Sequence, residues 1–295
     1  YQRGTWKICG CLFQGGVRML GKLMKQEWLS TWKIPTVLIG VVFAAATIFG
    51  LFCASPVWDL MDWWGADVIF SATILLFYGA LMCCGVGTSI YLAVRYYRSM
   101  YSNEGYLTHT LPVTPNQLLL SKMINFSIWE LLSVICIVFN IMLFAAFIVL
   151  REVGYRSLFE SFQEVLMEMQ DILNSEYATG WELFMVLTII LILVGTVSKS
   201  LLYMGSVNIG QLWARHRVAG AILVYVGVTG AVQIVTQAAM IIFMTSAERI
   251  GLLQDDYFFS FLNQVMAVSL LMQIVIGVVM YVGSLLILKK KVNLE

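Results

Sequence analysis

Six long apolar runs, 34–54, 68–94, 123–150, 181–197, 218–245 and 265–288, alternate with polar connections along the chain, and each predicts a helix. The first run holds about 20 apolar residues without a charge, enough to cross a hydrocarbon core of about 30 Å. Arg95 and Arg98 close the second run, and Lys289, Lys290 and Lys291 close the sixth. Upstream of the first run, Leu20, Met24, Trp28 and Trp32 repeat at helical spacing with Leu23 beside them, while Lys22, Lys25, Gln26 and Ser30 occupy the other side. A helix divided in this way lies in the headgroup plane, and Pro35 is expected to break it from the first span. The plainer alternative is that these residues are the opening turns of the first span itself. Residues 1–18 carry no such pattern, and Met19 opens it, so 1–18 are expected to be a leader or appended segment ahead of one membrane domain at 19–295.

The connections differ in character. Residues 55–67 combine Asp59, Asp62 and Asp67 with Trp58, Trp63 and Trp64, an acidic loop with aromatic side chains at headgroup depth. Between the third and fourth runs, residues 151–180 carry six acids and an apolar stripe through Leu158, Phe162, Val165, Met169 and Ile172. That stripe predicts an acidic amphipathic helix outside the membrane. The region through Ser198, Lys199, Asn208 and Gln211 to Arg215, His216 and Arg217 reads as a moderately polar connection after a fourth span ending near Val197. A short acidic loop with Glu248, Asp255 and Asp256 leads to the sixth run.

A composition of 60% hydrophobic and 12% charged residues excludes a soluble domain and, with a formal charge of +1, gives no reason to expect a nucleic-acid partner. The charges are segregated. From Met19 onward, twelve Lys and Arg fall on the side of residue 19 and three on the opposite side, whereas thirteen of the seventeen acids fall on that opposite side. By the positive-inside rule both termini are expected in the cytoplasm. Cys53, Cys83, Cys84 and Cys136 sit within apolar runs as small hydrophobes, Cys9 and Cys11 lack metal spacing, and two histidines give zinc or triad chemistry nothing to build on. There is no G-x-x-x-x-G-K-[ST] phosphate loop, H-E-x-x-H pair or G-x-S-x-G elbow, so no catalytic or metal residue is assigned and any ATP must be hydrolysed in another chain.

The polar interruption 97–122 is the feature most suited to a soluble partner. Ser102, Asn103 and Glu104 can start a short helix, Gly105 allows a close backbone approach, and Pro112 and Pro115 stiffen the exit. Between them Tyr106, Leu107, Thr108, His109, Thr110 and Leu111 are short and amphipathic. Within the membrane, Glu130 stands about two turns into the third run, close enough to the edge to snorkel toward Arg95 or Lys122. Thr229, Gln233 and Gln237 on the fifth run and Ser269, Gln273, Gly277 and Ser284 on the sixth form two polar rows expected to face each other. Helix-to-helix adhesion is one role for these rows. Lining a substrate path with Glu130, Gln233, Gln237 and Gln273 is the other.

Glu104-Gly105-Tyr106-Leu107, followed by Leu111-Pro112-Val113-Thr114 and by Leu119, Ser121 and Lys122, resembles the signature after the second span of type-2 ABC transporter permeases of Gram-positive bacteria. Tyr203, Ile209-Gly210-Gln211-Leu212 and Arg215-His216-Arg217 are similar to the second cytoplasmic loop of that family. The resemblance implies an all-α integral membrane fold of six transmembrane helices, with an N-terminal amphipathic interface helix and a short cytoplasmic coupling helix. It implies that Glu104 to Leu111 seat in a separately encoded ATPase, which binds the ATP and Mg, while the helix through Leu20 and Trp32 leans on the same partner. A second permease subunit, a location in the bacterial cytoplasmic membrane and export of an amphiphile follow from the same likeness. The short segment 246–264 departs from family members that carry re-entrant helices there. An ion-coupled secondary transporter and a membrane scaffold or sensor are the rival readings from other classes.

Overall fold

The structure, a computed structural model, describes residues 21–55, 64–102, 105, 114–153, 163, 167, 180–213, 216–250 and 258–290. Among these residues there are helices and no strands. α1 covers residues 21–31, and is followed by α2 (Lys33–Cys53), α3 (Trp64–Tyr101), α4 (Pro115–Val153), α5 (Trp181–Gly210), α6 (Arg217–Ile250) and α7 (Phe258–Lys290). Six of them, α2 to α7, are long and apolar enough to cross a membrane. Helix is the form such segments must take, because a backbone in hydrocarbon has no water to satisfy its N–H and C=O groups. Large apolar side chains such as Leu75, Met82, Met142, Ile234 and Leu271 are exposed on the outside of the bundle, where lipid would cover them.

Two three-helix groups make up the bundle. α2 packs on α4 and α3, α7 and α6 pack on α5, and α4 joins the groups by packing on α5. Toward the end where α4 finishes, the first group has an apolar core of Val42, Ala46, Cys53, Phe77, Leu81, Cys84 and Phe144, with Phe77 stacked on Phe144 at 4.2 Å. Toward the other end, hereafter the basic end, Leu92, Tyr96, Met100, Leu119, Phe126, Trp129, Met204 and Val207 form a second cluster. Polar side chains thread this second cluster, and they position everything described below.

Local sequence explains several boundaries. Pro115 occupies the first turn of α4, where its missing N–H costs nothing. Thr114 caps it: the Thr114 hydroxyl accepts from the Gln117 N–H at 3.3 Å, and the Gln117 amide oxygen accepts from the Thr114 N–H at 3.2 Å. This reciprocal pair is a capping box. Gly180 precedes α5 with φ of 95°, a left-handed conformation that a side chain would disfavour. α3 and α4, at 38 and 39 residues, are each about 57 to 59 Å long, well beyond the roughly 40 to 45 Å of a bilayer with its headgroups.

Three expectations need correction. Pro35 does not break the chain between α1 and α2: the turn is at Trp32, whose backbone is itself helical (φ −59°, ψ −31°), and Pro35 is buried within α2. Proline leaves the carbonyl of Thr31 without its usual helical donor. The Tyr91 hydroxyl of α3 donates to that carbonyl at 3.3 Å instead, so the helix runs on. The helix of the fourth span does not give way to a connection after Val197, because α5 continues to Gly210. Likewise α3 extends to Tyr101 and α4 begins at Pro115, so the polar interruption contracts to 102–114. Residues 1–20, most of the acidic segment 151–180 and the loop at 251–257 lie outside the described residues.

Candidate functional site

Most of the buried polar groups gather in the basic half of the bundle, on α3, α4 and α5. The polar stretch of α5 that suggested a connection is its most buried part, with Ser198, Ser200, Tyr203, Ser206 and Asn208 all inside. Hydrogen bonds to its own helix and to neighbouring helices satisfy part of this polarity. Ser200 donates to the Thr196 carbonyl at 2.9 Å, and Ser198 donates to the Gln273 carbonyl of α7 at 2.7 Å. A Cβ on Gly277 would stand 3.0 Å from the Ser198 hydroxyl, so a small residue there lets α7 lie close against α5.

Glu130 is the centre of the first cluster. Its side chain is 2% exposed, one carboxylate oxygen accepts from the Ser89 hydroxyl of α3 at 2.9 Å, and the other accepts from the Lys199 ammonium of α5 at 2.9 Å. The expected partners Arg95 and Lys122 are not those observed: Lys122 is taken by another carboxylate, and Lys199 arrives from a helix 69 positions along the chain. Lys199 is 18 residues beyond Trp181, about 27 Å along α5, and Glu130 is 19 residues before Val149, about 28 Å along α4. With the far ends of both helices at one face of the hydrocarbon, the pair lies at the other boundary, where an ammonium can reach headgroups. Lys199 also stands 5.9 Å from the ring centroid of Tyr203, which in turn packs at 5.6 Å against Tyr225 of α6.

Nearer the basic end, Lys122 of α4 is wholly buried, donating to Glu27 of α1 at 2.5 Å and to the Ser99 hydroxyl of α3 at 2.8 Å. Trp28 stacks on Trp129 at 4.7 Å, and the Asn125 amide donates to the Thr31 hydroxyl at 3.4 Å. Through these contacts α1 is fastened to α3 and α4. Leu23 and Met24 are half-buried and Trp28 and Trp32 are exposed, while Leu20 lies outside the described residues. The Tyr96 and Tyr101 hydroxyls of α3 both donate to the Asn208 side-chain amide oxygen of α5, at 2.9 and 2.7 Å. Tyr281 of α7 reaches Asn116 at the start of α4. The connection 102–114 is therefore flanked by helix ends tied to α1, α5 and α7.

Within that connection only Ser102, Gly105 and Thr114 are described, and Glu104, Tyr106, Leu107, Thr108, His109, Thr110 and Leu111 lie outside the described residues. Gly105 is buried, its N–H donates to the Ser102 carbonyl at 2.7 Å, and a Cβ on it would come within 2.5 Å of the Met100 carbonyl oxygen. The chain folds back on the end of α3 more closely than any side chain permits.

The two polar rows do not face each other. Thr229, Gln233 and Gln237 are exposed on α6, whereas the α7 row packs on α5: a Cβ on Gly195 would stand 3.2 Å from the Gln273 side-chain oxygen, and Ser284 is fully buried. α5 inserts between the two helices, so Glu130, Gln233, Gln237 and Gln273 are not brought to one place. Residues that sequence patterning passed over, Lys199, Asn208, Tyr96 and Ser89, carry the clusters instead. Comparison with protein-family models, curated proteins and solved structures found no match to this chain.

Proposed function

We propose that this chain is the permease subunit of an ATP-driven transporter of the type-2 ABC class, exporting an amphiphile such as a peptide antibiotic or lipid across the bacterial cytoplasmic membrane. A separate ATPase subunit, binding ATP and Mg, drives it, and a second permease subunit completes the assembly. The resemblance at Glu104 to Lys122 supports this reading, and one observation carries it further: the helices flanking that connection extend well beyond the level of Glu130. Pro115 is 15 residues from Glu130 and Tyr101 is 12 residues from Ser89, so the connection lies about 18 to 22 Å beyond the Glu130 level. A short segment carried on two long helices, the second capped by Thr114, suits a lever worked by a soluble partner.

In this mechanism, closure of the ATPases displaces the segment from Glu104 to Leu111, and α3 and α4 follow. Lys122 and Glu27 carry the movement into α1, and Asn208 carries it into α5. The physical requirement is that the two ATPase states bind the segment with different free energy, since a partner indifferent to position shifts no equilibrium. Purification of the chain from its native membrane tests the proposal: an ATPase of roughly 200 to 300 residues, one large domain, should accompany it. Leu107→Pro should release that ATPase or uncouple its turnover. Transport in vesicles that follows an ion gradient and ignores ATP would favour a secondary transporter and overturn this reading.

A further inference from the structure

The Glu130–Lys199 pair is asymmetric in a way that a purely structural ion pair need not be. The carboxylate side chain is 2% exposed, yet its cation is 42% exposed. Glu130 is held from behind by Ser89, while Lys199 approaches from the open side on a flexible stem. Lys199 can withdraw toward headgroups and water, but Glu130 cannot follow. A withdrawn Lys199 leaves a desolvated carboxylate facing the opening it filled, and burial without a partner makes that carboxylate demand another cation.

The surroundings suit an ammonium in particular. Tyr203 presents its ring within cation–π range of the Lys199 nitrogen, and Tyr225 packs beside it at an interplanar angle of 37°. Tyr203 is 4% exposed, and its hydroxyl is turned toward Glu130 and Ser89. The depth of about 27 Å along α5 is that of the polar head of an amphiphile whose tail lies in hydrocarbon.

We propose that Glu130, Ser89, Tyr203 and Tyr225 form a binding site for the ammonium head of an amphiphile, and that Lys199 is its tethered occupant, displaced when the ligand enters. The proposal takes its ligand class from the transport reading but not its site. Anionic heads are excluded by the carboxylate, and neutral heads gain nothing from it.

A dansyl-labelled dodecylammonium probe, titrated against the full chain in phosphatidylglycerol nanodiscs, tests the assignment. Lys199→Met should tighten binding at least tenfold, because the internal competitor is gone. Glu130→Gln should abolish that gain, and Tyr203→Leu should reduce it several-fold. The same probe with a hydroxyl in place of the ammonium should bind all variants alike. Should Lys199→Met not assemble, Lys199→Gln serves the same purpose, with gel filtration confirming a monodisperse protein. Unchanged or weaker binding after loss of Lys199, or a gain that survives Glu130→Gln, overturns the proposal, since a structural pair only loses by being broken. Adding phosphatidylethanolamine to the nanodiscs separates a lipid occupant, which competes with the probe, from a free cationic amphiphile, which leaves it bound. Failure to recover an ATPase would remove the transport reading while leaving these affinities to stand or fall by themselves.

Discussion

Replacing Lys122 by Met keeps the stem that packs between α3 and α4 and removes only the charge. Lys122 has no exposed surface and pairs with Glu27, whose side chain retains 16% exposure. Removing one member of a buried pair costs about 3 to 5 kcal/mol, because the other charge stays desolvated. The exposure of Glu27 lets water recover part of that, so Lys122→Met is expected to cost about 2 to 3 kcal/mol. Glu27→Leu should cost more than Lys122→Met, since it takes the carboxylate from an ammonium with no exposure at all. The double variant, with both charges gone, should return to within about 1 kcal/mol of the parent, as apolar replacement of buried ion pairs often does. At about 2 to 4 °C per kcal/mol for chains of this order, thermal unfolding in detergent should show Lys122→Met lowered by roughly 5 to 10 °C. Additive single and double variants, or a single variant within about 1 °C of the parent, would refute the idea that this pair is desolvated and fastens α1 to the bundle.

Two further outcomes follow from the same half of the molecule. Asn208→Leu leaves the Tyr96 and Tyr101 hydroxyls without their shared acceptor, at about 1 to 3 kcal/mol for each buried group stranded. Adding Tyr96→Phe should then recover stability, and a simple sum of losses in the thermal unfolding cycle would contradict the assignment. Thr114→Ala removes half of the capping box at the start of α4, worth about 0.5 to 2 kcal/mol, and Gly105→Ala forces its Cβ onto the Met100 carbonyl. Both should speed limited proteolysis within 102–114 while leaving cleavage elsewhere unchanged, and equal cleavage rates would count against a structural role for the Thr114 cap and the close approach at Gly105.

Much of the architecture is legible in residue order. The six apolar runs and the polar interruption after the second rest on local physics, namely the length needed to cross hydrocarbon. The close approach at Gly105 was readable in the same way. What misled was the assumption that polarity marks a span's end. Ser198 to Gly210 reads as a connection by composition, yet it is the most buried part of α5, because its polar groups meet Glu130, Tyr96, Tyr101 and the α7 backbone. Pro35 misled for a related reason: the donor that replaces its missing hydrogen bond, Tyr91, comes from another helix.

The rows on α6 and α7 show the same limit. Gln233 and Gln273 both recur at helical spacing, but spacing defines a face and not what covers it, and α5 stands where the facing helix was expected. In a water-soluble helix the apolar stripe points to the core, because only one side of the helix meets an apolar medium. In a membrane both lipid and protein interior are apolar, so the stripe no longer tells inside from outside. The sequence by itself determined that the chain has six segments long and apolar enough to cross a membrane. Only tertiary packing decided which polar groups meet, since Glu130 has its cation on a helix 69 residues away and nothing local to either residue encodes that encounter.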